Sequence, residues 1–187
     1  MSALNTLLSR RSIPAQCLTT PGPDEAQLTL ALEAAMRAPD HGRMLPWRFK
    51  LIRGEAKARF AEILVAAALA HDPATPQRQL EKIRTRPQHA PLVIAISARY
   101  RDNPKVPEIE QTLAVGAAVM NLLNAFHAQG FGAVMLTGPS VYDPGVASAL
   151  GYGPDERLIG FMYVGTIGAV VPAAPERTTH RSVVSDF

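Results

Sequence analysis

The residues from Glu108 to Gln129 form the longest stretch of helical character in the chain. Apolar side chains recur along it at helical spacing, with alanines among them, at Leu113, Met120, Leu123 and Phe126. At about 1.5 Å per residue, a helix of this extent is roughly 33 Å long. Its length, and an apolar face crowded with small residues, suit a helix that is central or that packs against a second subunit.

Shorter segments on both sides alternate between helical and extended patterns. We predict helices that begin after Ser2 and Asp24, a helix over 55–70, a weaker one over 75–86 and a short one from Pro144 that ends at Gly151. Strands are predicted over 47–51, 92–97, 131–137 and 158–166. The tail beyond Gly168 is expected to be extended over a surface. Interspersed helices and strands favour an α+β fold, and 187 residues suit one domain over 1–187.

The segment from Arg37 to Phe49 joins the end of one helix to the start of a strand. Pro39 stops the helix that begins after Asp24, and the alternating residues from Trp47 begin a half-buried strand. Between these two points the chain carries a cluster of basic and imidazole side chains that includes His41. A flavin-binding loop can be built in this way.

Charge and cysteine content narrow the possible functions. The 19 Lys and Arg residues exceed the 16 Asp and Glu residues by a net charge of +3, which suits an anionic cofactor without demanding nucleic acid. Cys17 is the only cysteine, so redox chemistry would require a cofactor. The histidines lack metal-ligand spacing, and no dinucleotide or phosphate loop motif is present. Without a signal-like start or an apolar run near the ~20 residues that span a bilayer, we expect a cytoplasmic protein with no membrane partner.

Several short motifs, taken in their order and spacing, resemble the nitroreductase family. They are Arg10-Arg11-Ser12, the pieces Arg-Ala-Pro-Asp-His and Pro-Trp-Arg-Phe within 37–49, Lys105-Val106-Pro107, and Gln129-Gly130-Phe131-Gly132. The resemblance covers nearly the whole chain and is closest to the minimal, single-domain FMN-dependent members. It implies a mainly antiparallel sheet flanked by helices, in an intertwined homodimer whose C-terminal tail crosses to the partner.

The resemblance also implies FMN contacts at three places: Arg10, Arg11 and Ser12; Met135, Leu136 and Thr137; and Arg37 and His41. The first group offers guanidinium and hydroxyl donors that suit a phosphate, although cations at a helix end also stabilise its dipole. Arg37 could likewise serve only as a cation that stabilises the dipole at a helix end. In its functional role, its positive charge would favour the reduced flavin. A weaker NAD(P) contact is implied at residues that equally continue an apolar helix: Ala125, Phe126, His127, Ala128, Gln129 and Gly130.

The implied function is that of an FMN-dependent oxidoreductase. Flavin N5 would carry a hydride from NAD(P)H to an electron-poor small molecule such as a nitroaromatic or a quinone, with no catalytic side chain and no metal. Leu45, Met135 and Leu136 are nonpolar where relatives tend to carry other side chains, and they favour an alternative, a flavin-binding carrier or sensor without turnover. A nucleic-acid binder using Arg10, Arg11, Arg43 and Arg48 is a third possibility, weakened by the lack of aromatic residues among these cations.

Overall fold

The computed structural model describes residues 2–187. Its helices are α1 (Ala3–Ser9), α2 (Glu25–Ala35), α3 (Ala56–His71), α4 (Gln77–Thr85), α5 (Glu108–Ala128) and α6 (Pro144–Ala149). Its strands are β1 (Leu18–Thr19), β2 (Trp47–Arg53), β3 (Leu92–Arg99), β4 (Phe131–Leu136) and β5 (Glu156–Ile167). Every predicted helix and strand is present within a few residues of its predicted ends, and only the two-residue β1 was not predicted.

The five strands form one sheet in which every pair of neighbours is antiparallel. The long strand β5 lies at its centre, with β3 and then β2 on one side. On its other side β5 pairs with β4, from Phe131 opposite Thr166 to Leu136 opposite Phe161. The predicted mainly antiparallel sheet flanked by helices is therefore confirmed.

Helices cover both faces of this sheet, which is why β3 is buried from Leu92 to Ala98. On one face α2 and α5 pack against Ile94, Ile96 and Met162. On the other face α3 and α6 pack against Val93, Phe161 and Tyr163. A strand buried on both faces has no polar side, which accounts for its apolar sequence, interrupted between Leu92 and Ala98 only by Ser97.

The helix starts follow from local side-chain chemistry. The Ser2 hydroxyl accepts a hydrogen bond from the Asn5 backbone amide at the start of α1. Asp24 and Gln27 form a reciprocal capping box at the start of α2. Asp143 accepts from the backbone amides of Gly145 and Val146 at the start of α6.

The predicted apolar face of α5 is divided between the core and the surface. Phe126 is fully buried, whereas Leu113 is 64% exposed and Met120 is 43% exposed. Met36, which follows the last residue of α2, is also 43% exposed. Helical spacing identifies which residues share a side of a helix, but it cannot tell whether the same chain covers them. Within residues 2–187, no helix combines the length and apolar character needed to cross a bilayer.

Candidate active site

The first group of predicted cofactor residues lies where α1 gives way to a segment along the free edge of β4. Arg10 follows the last residue of α1, and the Ile13 backbone amide donates to the Ala133 carbonyl at 3.0 Å. This close approach depends on Gly132, because a Cβ there would lie only 2.7 Å from Leu18 and 3.1 Å from Ile13. The glycine thus lets the Arg10–Ser12 segment lie beside the strand.

Arg10 carries the most telling feature of this site. Its Nε and Nη1 atoms are buried, and neither has a hydrogen-bond partner among residues 2–187. Buried guanidinium donors are normally paired with an acceptor, most strongly with a carboxylate or a phosphate. The neighbouring Arg11 is satisfied, since its Nη1 donates to the Pro172 carbonyl at 2.7 Å. Arg10 is therefore suited to receive an anion that the protein itself does not supply.

The C-terminal tail passes over the same place. Arg177 donates a hydrogen bond to the Arg10 carbonyl oxygen, and Pro172 is the acceptor for Arg11. These contacts lie within one chain, so a tail that crosses to a partner stays a prediction. No sequence motif marked Arg177 in advance, because its approach to Arg10 joins residues at opposite ends of the chain.

His127, near the end of α5, also belongs to this cluster. Its Nε2 lies 2.8 Å from the Ser9 hydroxyl. Burial, and then the nearby Arg10 charge, lower the pKa of His127 below its ordinary value. The imidazole therefore favours its neutral form beside Arg10.

The second predicted group lies at the end of β4. Met135 packs toward the α2 and α5 face of the sheet, and Leu136 toward the α3 face. Thr137 lies just beyond the strand, which ends one residue earlier than predicted, and it is exposed. Leu136 and Thr137 line a cavity of about 1020 Å³ whose other walls come from α3, α4, β5 and the segment 138–144. The cavity is large enough for a cofactor ring and a small substrate.

The third predicted group, Arg37 and His41, occupies the loop between α2 and β2. Arg37 is exposed, and His41 Nδ1 lies 2.6 Å from Glu110 Oε2 near the start of α5. The Asp40 carboxylate shapes the loop, because it accepts from the backbone amides of Met44 and Leu45.

This loop has an unusual backbone. Arg43 and Leu45 both have positive φ, at 53° and 47°, and Gly42 has φ 70°. Side chains with a Cβ rarely adopt this left-handed region, at a cost of about 1–3 kcal/mol each. Such strain is common at binding sites, and here the carboxylate of Asp40 helps to hold it.

The structure places the predicted groups at opposite ends of α5. Arg10 lies with His127 near its C-terminal end, and His41 contacts Glu110 near its N-terminal end. At about 1.5 Å per residue these two points on the helix are roughly 25 Å apart. The segment that follows Arg10 reaches β4 at Ala133, but His41 is not brought to Arg10 within one chain.

Two residues of the segment implied to contact NAD(P) are engaged within the chain. Phe126 is fully buried, and the Gln129 side-chain amide donates to the Gln27 carbonyl at 3.2 Å. A structural role at the end of helix α5, the alternative to NAD(P) contact, accounts for these two residues.

Comparison with known proteins agrees with this architecture. The sequence profile of the Nitroreductase family matches residues 7–166. The chain belongs to the nitroreductase family. YdjA of Escherichia coli strain K12, assigned by name as an NAD(P)H nitroreductase, is 40% identical over 166 residues, which are 89% of this chain and 88% of YdjA.

Solved structures of nitroreductases share the fold. A nitroreductase-like protein from Bacillus cereus superposes with a TM-score of 0.87 at 21% identity, covering 100% of this chain and 96% of the other. NfnB of Sphigopyxis sp. strain HMH, described as an FMN- and NADPH-dependent nitroreductase, superposes with a TM-score of 0.80 at 18% identity, covering 100% and 99%. The nitroreductase fold therefore carries the Arg10 cluster, the end of β4 and the large cavity in this chain.

Proposed function

We propose that this nitroreductase-family protein binds FMN noncovalently and uses NAD(P)H to reduce an electron-poor small molecule such as a nitroaromatic or a quinone. The observation that carries the proposal is the buried, unpaired guanidinium of Arg10 beside the free edge of β4. A phosphate monoester supplies the charged acceptor that these donors lack. When bound, FMN would take up a hydride equivalent from NAD(P)H and pass two electrons on to the acceptor.

Each group of residues has a distinct task in this proposal. Arg10, Arg11 and Ser12 would hold the phosphate. The backbone at Met135, Leu136 and Thr137 would meet the edge of the ring, since a strand end before a glycine exposes its amide and carbonyl groups. Nonpolar side chains at Met135 and Leu136 leave such backbone contacts intact.

His41 can join this site only from a second copy of the chain, because its contact with Glu110 holds it at the other end of α5 from Arg10. Arg37 lies four residues before His41, in the same loop. In a two-fold symmetric dimer the same surface patch is used twice, so the N-terminal part of one α5 can lie beside the C-terminal part of the other. We therefore propose a homodimer with two sites, each completed by Arg37 and His41 from the other copy.

The surface that would pair the two copies is apolar. Residues spaced along one exposed side of α5 are Ile109, Leu113, Gly116 and Met120. Exposed apolar side chains on α1 and α2 extend this surface: Leu4, Leu7, Leu8 and Leu30. Large groups of exposed apolar residues mark interaction surfaces in soluble proteins. We call the α5 part of this surface, Ile109 to Met120, the α5 stripe.

Two measurements test the proposed function: FMN binding, and then steady-state oxidation of NAD(P)H. Purified protein should release FMN on heating, or bind added FMN, and should then oxidise NADH or NADPH continuously when a quinone or nitroaromatic acceptor is present. Protein that takes no FMN would refute the proposal. Protein that holds FMN but shows no steady-state oxidation with any acceptor would instead be a flavin carrier or sensor.

A further inference from the structure

Helix α4 carries a row of cations that makes no ion pair within residues 2–187. Arg78, Lys82 and Arg86 are spaced four residues apart, and all three line the cavity that Leu136 and Thr137 also line. The remaining arginine of the helix, Arg84, pairs with Glu62 and Glu81. The acidic residues Glu62 and Glu81 thus pair with Arg84. The other three cations line the cavity. We call these three residues the α4 cation row.

The α4 cation row lowers the intrinsic stability of helix α4. Like charges four residues apart on a helix destabilise it by about 0.2–0.5 kcal/mol per pair. Cations near the C-terminal end of a helix are favourable, but Arg78 lies in the first turn, where the helix dipole disfavours a positive charge. Local preference therefore does not explain the α4 cation row, and such conflicts are typical of functional sites.

The cavity is also lined by a tyrosine whose hydroxyl lies within the electrostatic reach of Arg86. Tyr163 is only 1% exposed and lines the cavity, yet its hydroxyl makes no hydrogen bond to any residue in the described chain. Burial raises the pKa of Tyr163 to about 12, and the positive charge of Arg86 partly opposes this rise. The hydroxyl is thus a neutral donor that a ligand inside the cavity can use.

The two carboxylates that line the cavity form no ion pair with the α4 cation row in the described chain. Asp143 caps α6 through the backbone amides of Gly145 and Val146. Asp72 accepts from the Ala74 backbone amide in the turn after α3. Both carboxylates are engaged with the backbone, while the α4 cation row remains available.

We propose that this cavity binds the electron acceptor, and that the α4 cation row selects acceptors whose aromatic ring carries a carboxylate or a similar anionic group. The proposal rests on the proposed function, since Leu136 and Thr137 are expected to border the flavin. Apolar and aromatic walls, including Leu64 and Phe161, suit an aromatic ring. Tyr163 would donate to a polar group on that ring, and the cations would receive its anionic group at the mouth of the cavity.

The test compares two ligands of similar shape and different charge on the FMN-bound protein. Without NAD(P)H neither ligand is reduced, so the perturbation of the flavin spectrum gives dissociation constants for 4-nitrobenzoate and 4-nitrobenzamide. We expect 4-nitrobenzoate to bind about tenfold more tightly, as one charge-assisted contact would produce. The preference should weaken as salt concentration rises. Equal affinities at low salt would overturn the proposal.

Variants then assign the preference to the α4 cation row. Lys82→Gln and Arg86→Gln should each lose most of the preference for 4-nitrobenzoate, and Lys82→Arg should retain it. Arg84→Gln is the matched control, because it removes the same charge from the same helix on the paired side, and it should keep the preference. A loss in Arg84→Gln equal to that in Lys82→Gln would overturn the assignment.

Two further measurements separate the other sources of an anion. If the α4 cation row held the FMN phosphate, the dissociation constant of FMN would rise in Lys82→Gln. If it recognised the 2′-phosphate of NADPH, the KM for NADPH would rise while that for NADH would not. Either result would overturn the acceptor assignment, and wild-type protein that takes no FMN would refute the proposed function itself.

Discussion

Replacement of Arg10 by Met should weaken FMN binding and at the same time stabilise the cofactor-free protein. The methionine retains much of the apolar stem and removes the guanidinium. If Arg10 makes a charge-assisted hydrogen bond to phosphate, its loss should cost about 1.5–3 kcal/mol of affinity. The dissociation constant of FMN should then rise roughly 10- to 150-fold.

The effect on the cofactor-free protein follows from the same two atoms. Arg10 Nε and Nη1 are buried without partners, and an unsatisfied buried donor costs about 1–3 kcal/mol. Methionine has no such donors, while the Arg177 contact is to the Arg10 backbone carbonyl and survives the change. We expect a net gain of about 1 kcal/mol after some loss of packing, which raises Tm by about 2–4 °C for a chain of this size.

Fluorescence titration with FMN and thermal unfolding without FMN measure the two effects. Arg11→Met serves as the comparison, because Arg11 already donates to Pro172 and its loss should destabilise the cofactor-free protein. A structural helix-end role for Arg10 predicts a lower Tm and an unchanged dissociation constant. That pair of results would refute the reasoning, since anion binding requires both the dissociation constant and Tm to rise.

Three other predictions test separate parts of the molecule. Leu113→Glu should convert the dimer to monomer in sedimentation and weaken FMN binding, whereas Leu69→Glu, an exposed change on α3, should do neither. Leu45→Asn should raise Tm by about 2–4 °C, because Asn tolerates positive φ and Leu45 is 51% exposed; an unchanged Tm would show no strain there. The pKa of His127 is lower in the folded chain than in the unfolded chain, where it is about 6.5. As pH falls through this value, the unfolded chain binds a proton before the folded chain does, so the free energy of unfolding should decrease. His127→Gln should flatten this decline in Tm; equal slopes would assign it to other groups.

Local patterns in the sequence were enough to predict most of the helices and strands. The α5 boundaries differ from the prediction by one residue, because a long apolar repeat between Pro107 and Gly130 leaves little freedom. The strand β1 has only two residues, too few to show any alternation. Leu113 and Met120 were predicted as part of the same apolar face as Phe126, because periodicity alone does not distinguish a core from a surface for another subunit.

The candidate site was predictable residue by residue but not as an arrangement. The sequence favoured Arg10 as a phosphate ligand only through family resemblance, since a cation after a helix has an ordinary structural role. The unpaired state of its guanidinium, which weakens that ordinary role, arises from packing by distant segments. The α4 cation row was visible in the sequence as a polar helix, but only the fold shows that its acidic neighbours serve Arg84 and that the other cations face a cavity.

The length of α5 gives a physical reason for the proposed sharing of each site between two chains. The helix fixes Arg10 and His41 roughly 25 Å apart along its axis, at about 1.5 Å per residue, and no side-chain movement can close such a gap. In the proposed dimer a second copy would close this gap, since a two-fold axis across the middle of α5 brings opposite ends of the two helices together. On this reasoning the exposed α5 stripe and the divided site have one cause, and a change that separates the copies must also empty the site.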